Sequence, residues 1–398
     1  MSQRIPRSAS SYWPAFAGAA LVVSSTSFNA VTADAIVAAM PLMVEELGNG
    51  HDARFLVQMI SVAPSISIIV GSLCAGFVRR LVGFRSAMLP GLVVYVIAGL
   101  YGLVPQSGES LIVSRVLLGF VSGLLGTICL SLAAEFESQK AARLLGFANA
   151  MASATAIGSF VVGGWLAREF GWRLANLAYV WPLSLIPFVL AYQTERSRQH
   201  GTVSDENRAP PFPFKAVLPV YLVTLVFFMS VFSTSIEGPF LLDSRGLKDP
   251  TLIGIAISGS AVCSAIFGLN YGRISRGLDR ATQFAAIFGF FLASATIASF
   301  AKTPLSTTFG LSLAGCASGM LSPLLLSTLV GRVPRARAAE ATSGYVSATY
   351  ISVFAAPSVF SAITRYTPFQ VFECLAIVAA TALLVTIILG RTGRIAKS

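Results

Sequence analysis

Three ionisable side chains sit where their neighbours offer no water. Asp34 lies within VTADAIVAAMPLM (31–43), Arg115 within GESLIVSRVLLGF (108–120) and Glu237 within FSTSIEGPF (232–240). A charge at the middle of a membrane span costs about 2.5–3.5 kcal/mol on insertion scales, so such a residue faces a bundle interior or a water-filled cavity. A carboxylate removed from water favours its neutral form, and an arginine brought close restores the charge. A pair that meets and parts is therefore a proton switch, and Asp34 with Arg115 can be one. Arg115 lies about six residues, or roughly 9 Å, below one end of its span, and Asp34 about ten residues, or roughly 15 Å, below the same face. A long arginine side chain bridges that difference. Two other readings remain open: Asp34 as a hydrogen-bonding group at a helix contact, and Arg115 snorkelling outward or bonding neighbouring carbonyls. Glu237, just before Gly238-Pro239, is the third candidate for proton coupling.

The surrounding chain must be lipid-solvated. Of 398 residues, 55% are hydrophobic and 11% charged, with mean hydropathy +0.75; soluble domains carry about 25% charge. Twelve apolar runs are each long enough for a helix of about 20 residues. They lie near 13–44, 54–78, 85–105, 109–134, 143–168, 173–193, 214–242, 251–272, 281–301, 305–331, 339–364 and 368–390. Helices are required, because lipid cannot satisfy loose backbone groups, and the runs lack the alternation of a barrel. The fold class is an all-α membrane protein.

Net charge is +11. Its basic residues gather in alternate loops, at 79–85, 140–143, 196–215, 273–280 and 332–337, and at both termini. That places these loops and both termini in the cytoplasm by the positive-inside rule. The apolar run after the basic start is too long for a cleaved signal, and is expected to be a retained first span. No basic face or aromatic platform accompanies the charge, which excludes nucleic acid. The five cysteines form no CxxC pair, His51 and His200 are isolated, and no metal or cofactor is expected. Paired carboxylates, or a nucleophile with its base, are missing from the spans, which argues against an intramembrane enzyme.

The stretch 194–213 is the one long polar segment, expected to link an N-terminal bundle (1–193) to a C-terminal one (214–398). The halves look like copies. GFVSGLLGTICLSL (119–132) matches GCASGMLSPLLLST (315–328), MPLMVEELG (40–48) matches GPFLLDSRG (238–246), and GFVRRLVGFR (76–85) matches GRISRGLDRA (272–281). Parallel six-span repeats set a substrate site between the halves near mid-bilayer. Candidate cavity residues are Phe28, Asn29, Gln58, Asn149, Phe232 and Tyr345. Their mixture of aromatic and amide groups suits amphipathic molecules better than sugars, and each amide can equally be helix-to-helix glue.

These features together resemble the major facilitator superfamily over essentially the full chain. The loop after span two is similar to that family's G-x-L-x-D-R-x-G-R-R, with Gly76, Gly83 and Arg85 in place and Arg80 where the aspartate stands. Leu111-xxx-Arg115-xxx-Gly119, Asp34-x6-Pro41 and the Gly-Trp-Arg of 171–173 resemble its drug:proton antiporter branch. The resemblance implies two pseudo-symmetric six-helix bundles, alternating access, a role for Arg115 in proton coupling and a gating loop at Gly76, Arg80, Gly83 and Arg85. It implies multidrug-type efflux of small organic molecules by proton antiport, in a bacterial inner membrane, by a monomer. With Arg80 basic, Glu135 and Glu137 are the acids available for a rebuilt latch. In span five Gly163-Gly164 match, but Ser159-Phe160 replace a Gly-Pro kink, so symport and uncoupled diffusion stay open.

Overall fold

Backbone polar groups in hydrocarbon must bond within their own segment, and the apolar runs do so as helices. A computed structural model describes residues 12–48, 51–104, 107–192, 212–334, 337–366 and 370–391. Among these, twelve helical stretches are long and apolar enough to cross a membrane, from Trp13–Leu47 to Val371–Ile388. The count agrees with that of the apolar runs, and the protein is an integral, multi-pass membrane protein. The linker 194–211, the basic termini 1–11 and 392–398, and Arg335 lie outside the described residues.

The first span is a broken helix: α1 (Tyr12–Ser24), α2 (Ser27–Asp34), a 3-10 turn at Val37–Ala39 and α3 (Met40–Leu47). Pro41 has no N–H for the Val37 carbonyl. Met40 N–H bonds Val37 instead, in the tighter i→i−3 pattern, and α2 stops at Asp34. Spans two to five are α4 (His51–Val82), α5 (Phe84–Leu100), α6 (Gly108–Ser131) and α7 (Ser138–Phe170).

Span six departs from the expected α-helix. It is a 3-10 stretch, Trp172–Leu185, followed by α8 (Ile186–Ala191). Pro182 and Pro187 each remove a donor, and Gly171 enters at φ +86°. At about 2.0 Å per residue, fourteen residues of 3-10 helix cover about 28 Å, roughly 7 Å more than an α-helix would. The remaining spans are α9 (Phe214–Ser244), α10 (Pro250–Ile274), α11 (Arg280–Phe300), α12 (Pro304–Gly331), α13 (Ala338–Tyr366) and α14 (Val371–Arg391).

Contacts divide the described residues into two compact units. One falls within Met1–Ala35, Ala63–Ser159 and Asn176–Asp205; the other within Ile36–Val62, Phe160–Ala175 and Glu206–Ser398. In the first unit α6 packs against α2 and α5. In the second, α12 packs against α10 and α11, α11 against α14, and α9 against α13.

The internal repeat is visible as packing. On α6, a Cβ at Gly119 would overlap the Pro64 carbonyl and one at Gly123 the Ile68 carbonyl; on α12, Gly315 meets Ser260 and Gly319 meets Ser264 in the same way. Each α12 contact lies 196 positions after its α6 counterpart at both partners, the offset of the sequence repeat. Backbone-to-backbone approach of this kind needs residues without side chains. Gly123→Leu and Gly319→Leu should each lower the thermal midpoint of the detergent-purified protein, since overpacking costs about 1–3 kcal/mol or more. Gly158→Leu, with open space around it, should not. Equal midpoints for all three, by fluorescence-detected size exclusion after heating, would contradict the packing.

Candidate functional site

In the first unit the site forms around Arg115. This residue is 1% exposed, and its guanidinium donates to Asn176 Oδ1 and lies 4.8 Å from the Tyr179 ring centroid. In a 3-10 helix, residues three apart eclipse one another. Asn176 and Tyr179 therefore share one face of span six, and both meet the arginine. Space for them comes from Gly99 and Gly102. A Cβ at Gly99 would overlap Tyr179, and one at Gly102 would sit 2.7 Å from Asn176 Nδ2. The Arg115 Nε and its other terminal nitrogen have no hydrogen-bond partner among the described residues. A buried cation so thinly satisfied is costly unless a further acceptor arrives.

Asp34 is the carboxylate that the sequence offers as that acceptor. It is half-buried at the C-terminal end of α2, beside the interruption of the first span. Tyr179 lies within electrostatic reach of both Arg115 and Asp34. Among the described residues no ion pair joins Asp34 to Arg115, and both act electrostatically on the Tyr179 phenol. Gly102→Ala should push Asn176 off the guanidinium. Because a misplacement of about 1 Å can cost about 100-fold, gradient-driven transport in membrane vesicles should fall at least about tenfold at unchanged expression. Unchanged transport would mean that the Asn176 contact is dispensable.

In the second unit, Glu237 of α9 is buried and held by two residues of α4. Arg54 forms an ion pair with it, and Gln58 Nε2 donates to its Oε1 at 2.7 Å. Arg54 and Gln58 are four apart and share a helix face; the Arg54 guanidinium also covers the Phe240 ring at 4.5 Å. Beside this cluster lies a cavity of about 550 Å3, lined by Arg54, Gln58, Glu237, Phe240, Arg245 and Gln370 among others. The same end of the unit carries Arg168–Asp249 at 3.1 Å and a contact of Glu46 with Trp172 and Arg173. There α7 and α10 touch backbone to backbone. A Cβ on Gly164 would overlap the Pro250 carbonyl, and one on Gly254 the Phe160 carbonyl.

The other candidates divide. Phe232 and Tyr345 are half-buried and meet through Phe228, at centroid distances of 6.1 and 6.2 Å. Asn149 is exposed on α7. Asn29 accepts from Ser122 at 2.8 Å, a helix-to-helix bond. Phe28 is fully buried between Tyr95 and Trp181. In the gating loop, Gly83 turns with φ +84° and Arg85 donates to the Leu190 and Tyr192 carbonyls at 2.6 and 3.1 Å. Gly76 meets no close neighbour and Arg80 is exposed. Its neighbour Arg79 makes the latch contact instead, with Glu135 at 2.8 Å and Ser131 at 2.6 Å, and Tyr192 donates to the same Glu135. Glu135, at the end of span four, thus pairs with Arg79, and not with Arg80, which stands in the aspartate's place.

Sequence reading missed Arg54, Asn176 and Tyr179. Arg54 stands at the expected start of span two, and its i,i+4 spacing to Gln58 is a signal. Asn176 and Tyr179 are three apart, a spacing that shares a face in either type of helix, but nothing in the sequence ties that face to Arg115.

Among the described residues, twelve apolar spans, a twofold packing repeat and buried ionisable groups characterise the fold and its candidate site. The sequence profile of the Major Facilitator Superfamily matches residues 22–357, and the chain belongs to that family. Two uncharacterized MFS-type transporters of Mycobacterium tuberculosis, from strains CDC 1551 and H37Rv, are each 25% identical over 244 residues, 61% of this chain. The match spans about a third (33%) of the length of those relatives. Among solved structures, a peptide transporter POT in complex with sulfate superposes with TM-score 0.72 at 14% identity, covering 96% of this chain and 95% of the other. A D-xylose-proton symporter gives TM-score 0.71 at 15% identity over 96% of both chains. At these identities the likeness is one of fold.

Proposed function

We propose that the protein is a proton-coupled exporter of small amphipathic organic molecules. It alternates access by rocking residues 1–193 against 214–398, with both termini in the cytoplasm of a bacterial inner membrane, and it works as a monomer. The observation that carries this reading is Asp34, a half-buried carboxylate at a helix break, without a cation in contact among the described residues, in the same unit as the under-satisfied Arg115. Ionised, Asp34 is drawn to the free guanidinium nitrogens. Protonated, it is released from them. Each state therefore favours a different arrangement of α2 against α6, which is what a coupled carrier requires.

Glu237 works at the opposite face from the basic loops. With Arg54 and Gln58 it holds that end shut, and a proton on Glu237 weakens the Arg54 contact and lets the end open. Gly76, Gly83, Arg85 and Arg80 shape the cytoplasmic turn, and Arg79–Glu135 steadies it. Phe232 and Tyr345 offer the substrate an aromatic wall. Everted membrane vesicles given an inside-acid pH gradient should accumulate ethidium, an amphipathic cation, and release it when the gradient is collapsed. A panel of amphipathic cations and neutral drugs that shows no gradient-dependent movement would overturn proton-coupled export.

A further inference from the structure

We propose that the C-terminal half holds an anionic phospholipid, with one acyl chain in a groove between α9, α11 and α14 and its headgroup against Lys215 and Arg280. The groove has a volume of about 400 Å3. Its floor is aromatic: Phe227, Phe288 and Phe291 are all under 10% exposed, and Phe227 packs at 6.0 and 5.4 Å from the other two rings. Its rim is aliphatic and open, with Leu222, Val226 and Val385 each about half exposed.

The lining excludes a polar occupant. Its two hydroxyls, Ser230 and Thr386, donate to their own helix carbonyls, at Val226 and Ala382, and offer nothing to a ligand. All three walls are membrane spans, so the medium at the open rim is hydrocarbon. The occupant of the groove is therefore an acyl chain rather than water or a polar metabolite.

Position along the helices sets the leaflet. At about 1.5 Å per residue, the lining begins roughly 6–12 Å from the ends at Phe214, Arg280 and Arg391, and extends to about mid-bilayer. Charge at that end selects the headgroup. Lys215 is exposed in the first turn of α9, and Arg332 lies against the same turn, donating to the Ala216 carbonyl at 3.4 Å. Arg280 opens α11, with Arg276 in the turn before it and Arg273 in the last turn of α10. Among the described residues Asp279, beside Arg280, accepts from the Thr282 hydroxyl, a bond that holds its carboxyl below the usual carboxylate range, and Glu340, at the start of α13, is paired with Arg337. Lys215, Arg273, Arg276, Arg280 and Arg332 outnumber Asp279 at this end, and basic surfaces between spans on the cytoplasmic side retain anionic headgroups. The proposal rests on the topology above and is independent of what is transported.

Protein extracted from vesicles of equal parts phosphatidylglycerol and phosphatidylcholine tests it, read by native mass spectrometry of the lipids retained. Wild type should retain phosphatidylglycerol over phosphatidylcholine by about tenfold. The double variant Lys215→Gln/Arg280→Gln, which leaves the core untouched, should lose the preference. Ala382→Phe, which fills the groove, should lose the bound lipid itself while eluting as a monodisperse peak. Wild type retaining the two lipids equally, or Ala382→Phe retaining phosphatidylglycerol as wild type does, would overturn the proposal. If Ala382→Phe fails to fold, the charge variant alone decides: a preference kept without Lys215 and Arg280 refutes the headgroup site.

Discussion

Asp34→Asn should abolish accumulation against a gradient and leave exchange down a gradient intact. Asparagine keeps the size and polarity of the protonated acid but cannot release a proton, so α2 no longer senses the proton gradient. The magnitude follows from the energy removed. One coupled proton at 100 mV is worth about 2.3 kcal/mol, about a 40-fold concentration ratio. Wild-type vesicles should build a ratio of that order, and Asp34→Asn vesicles should stay near one. Counterflow of preloaded substrate needs no proton and should continue. Removing Arg115 is a different experiment: Arg115→Ala leaves Asn176 and the Tyr179 face without their partner in a buried site, so lost expression would be hard to separate from lost coupling. Asp34→Asn alters a half-buried group with no ion-pair partner among the described residues, and its effect should therefore read as function rather than stability.

The second large effect is expected at the meeting of α7 with α10. Gly164 faces the Pro250 carbonyl and Gly254 the Phe160 carbonyl, a reciprocal contact that only glycine permits at this spacing. Gly254→Leu should hold these helices apart. The closed arrangement at the Arg54–Glu237 end is then inaccessible, and turnover should fall at least about 100-fold, because the step itself is blocked. Binding need not fall, since neither glycine is among the candidate substrate residues. Gly289→Leu, a position with no close neighbour, is the control. The measurement is transport rate alongside ligand-induced quenching of intrinsic tryptophan fluorescence: binding kept with turnover lost identifies an arrested carrier. Rates equal to wild type in Gly254→Leu would mean that the α7–α10 contact is not part of the cycle.

Much of the fold was legible because lipid leaves few options. The twelve spans follow from run length, and the paired bundles from repeats at nearly one offset, since Gly119/Gly123 and Gly315/Gly319 recur with their neighbours. Span six was read as an α-helix because hydropathy reports length and not pitch; two prolines turn it into a 3-10 stretch. Of the candidate site, the intramembrane charges could be found because each is expensive where it stands. Their partners could not. Asn176 and Tyr179 are ordinary residues until span six packs them on Arg115, and Arg54 stands at the start of span two with nothing in the sequence to join it to Glu237. Phe28, expected on a cavity wall, packs between Tyr95 and Trp181.

Whether water reaches position 34 from the two sides in turn is best measured by labelling. Asp34→Cys in a background without Cys74, Cys129, Cys263, Cys316 and Cys374 gives a single thiol for a membrane-impermeant maleimide. With the Arg54–Glu237 contact intact, labelling is expected from the cytoplasmic side. With Glu237→Gln added, labelling is expected to shift toward the opposite side. A thiol at position 34 that reacts only with lipid-soluble reagents, or from one side whatever stands at 237, would contradict alternating access to this carboxylate.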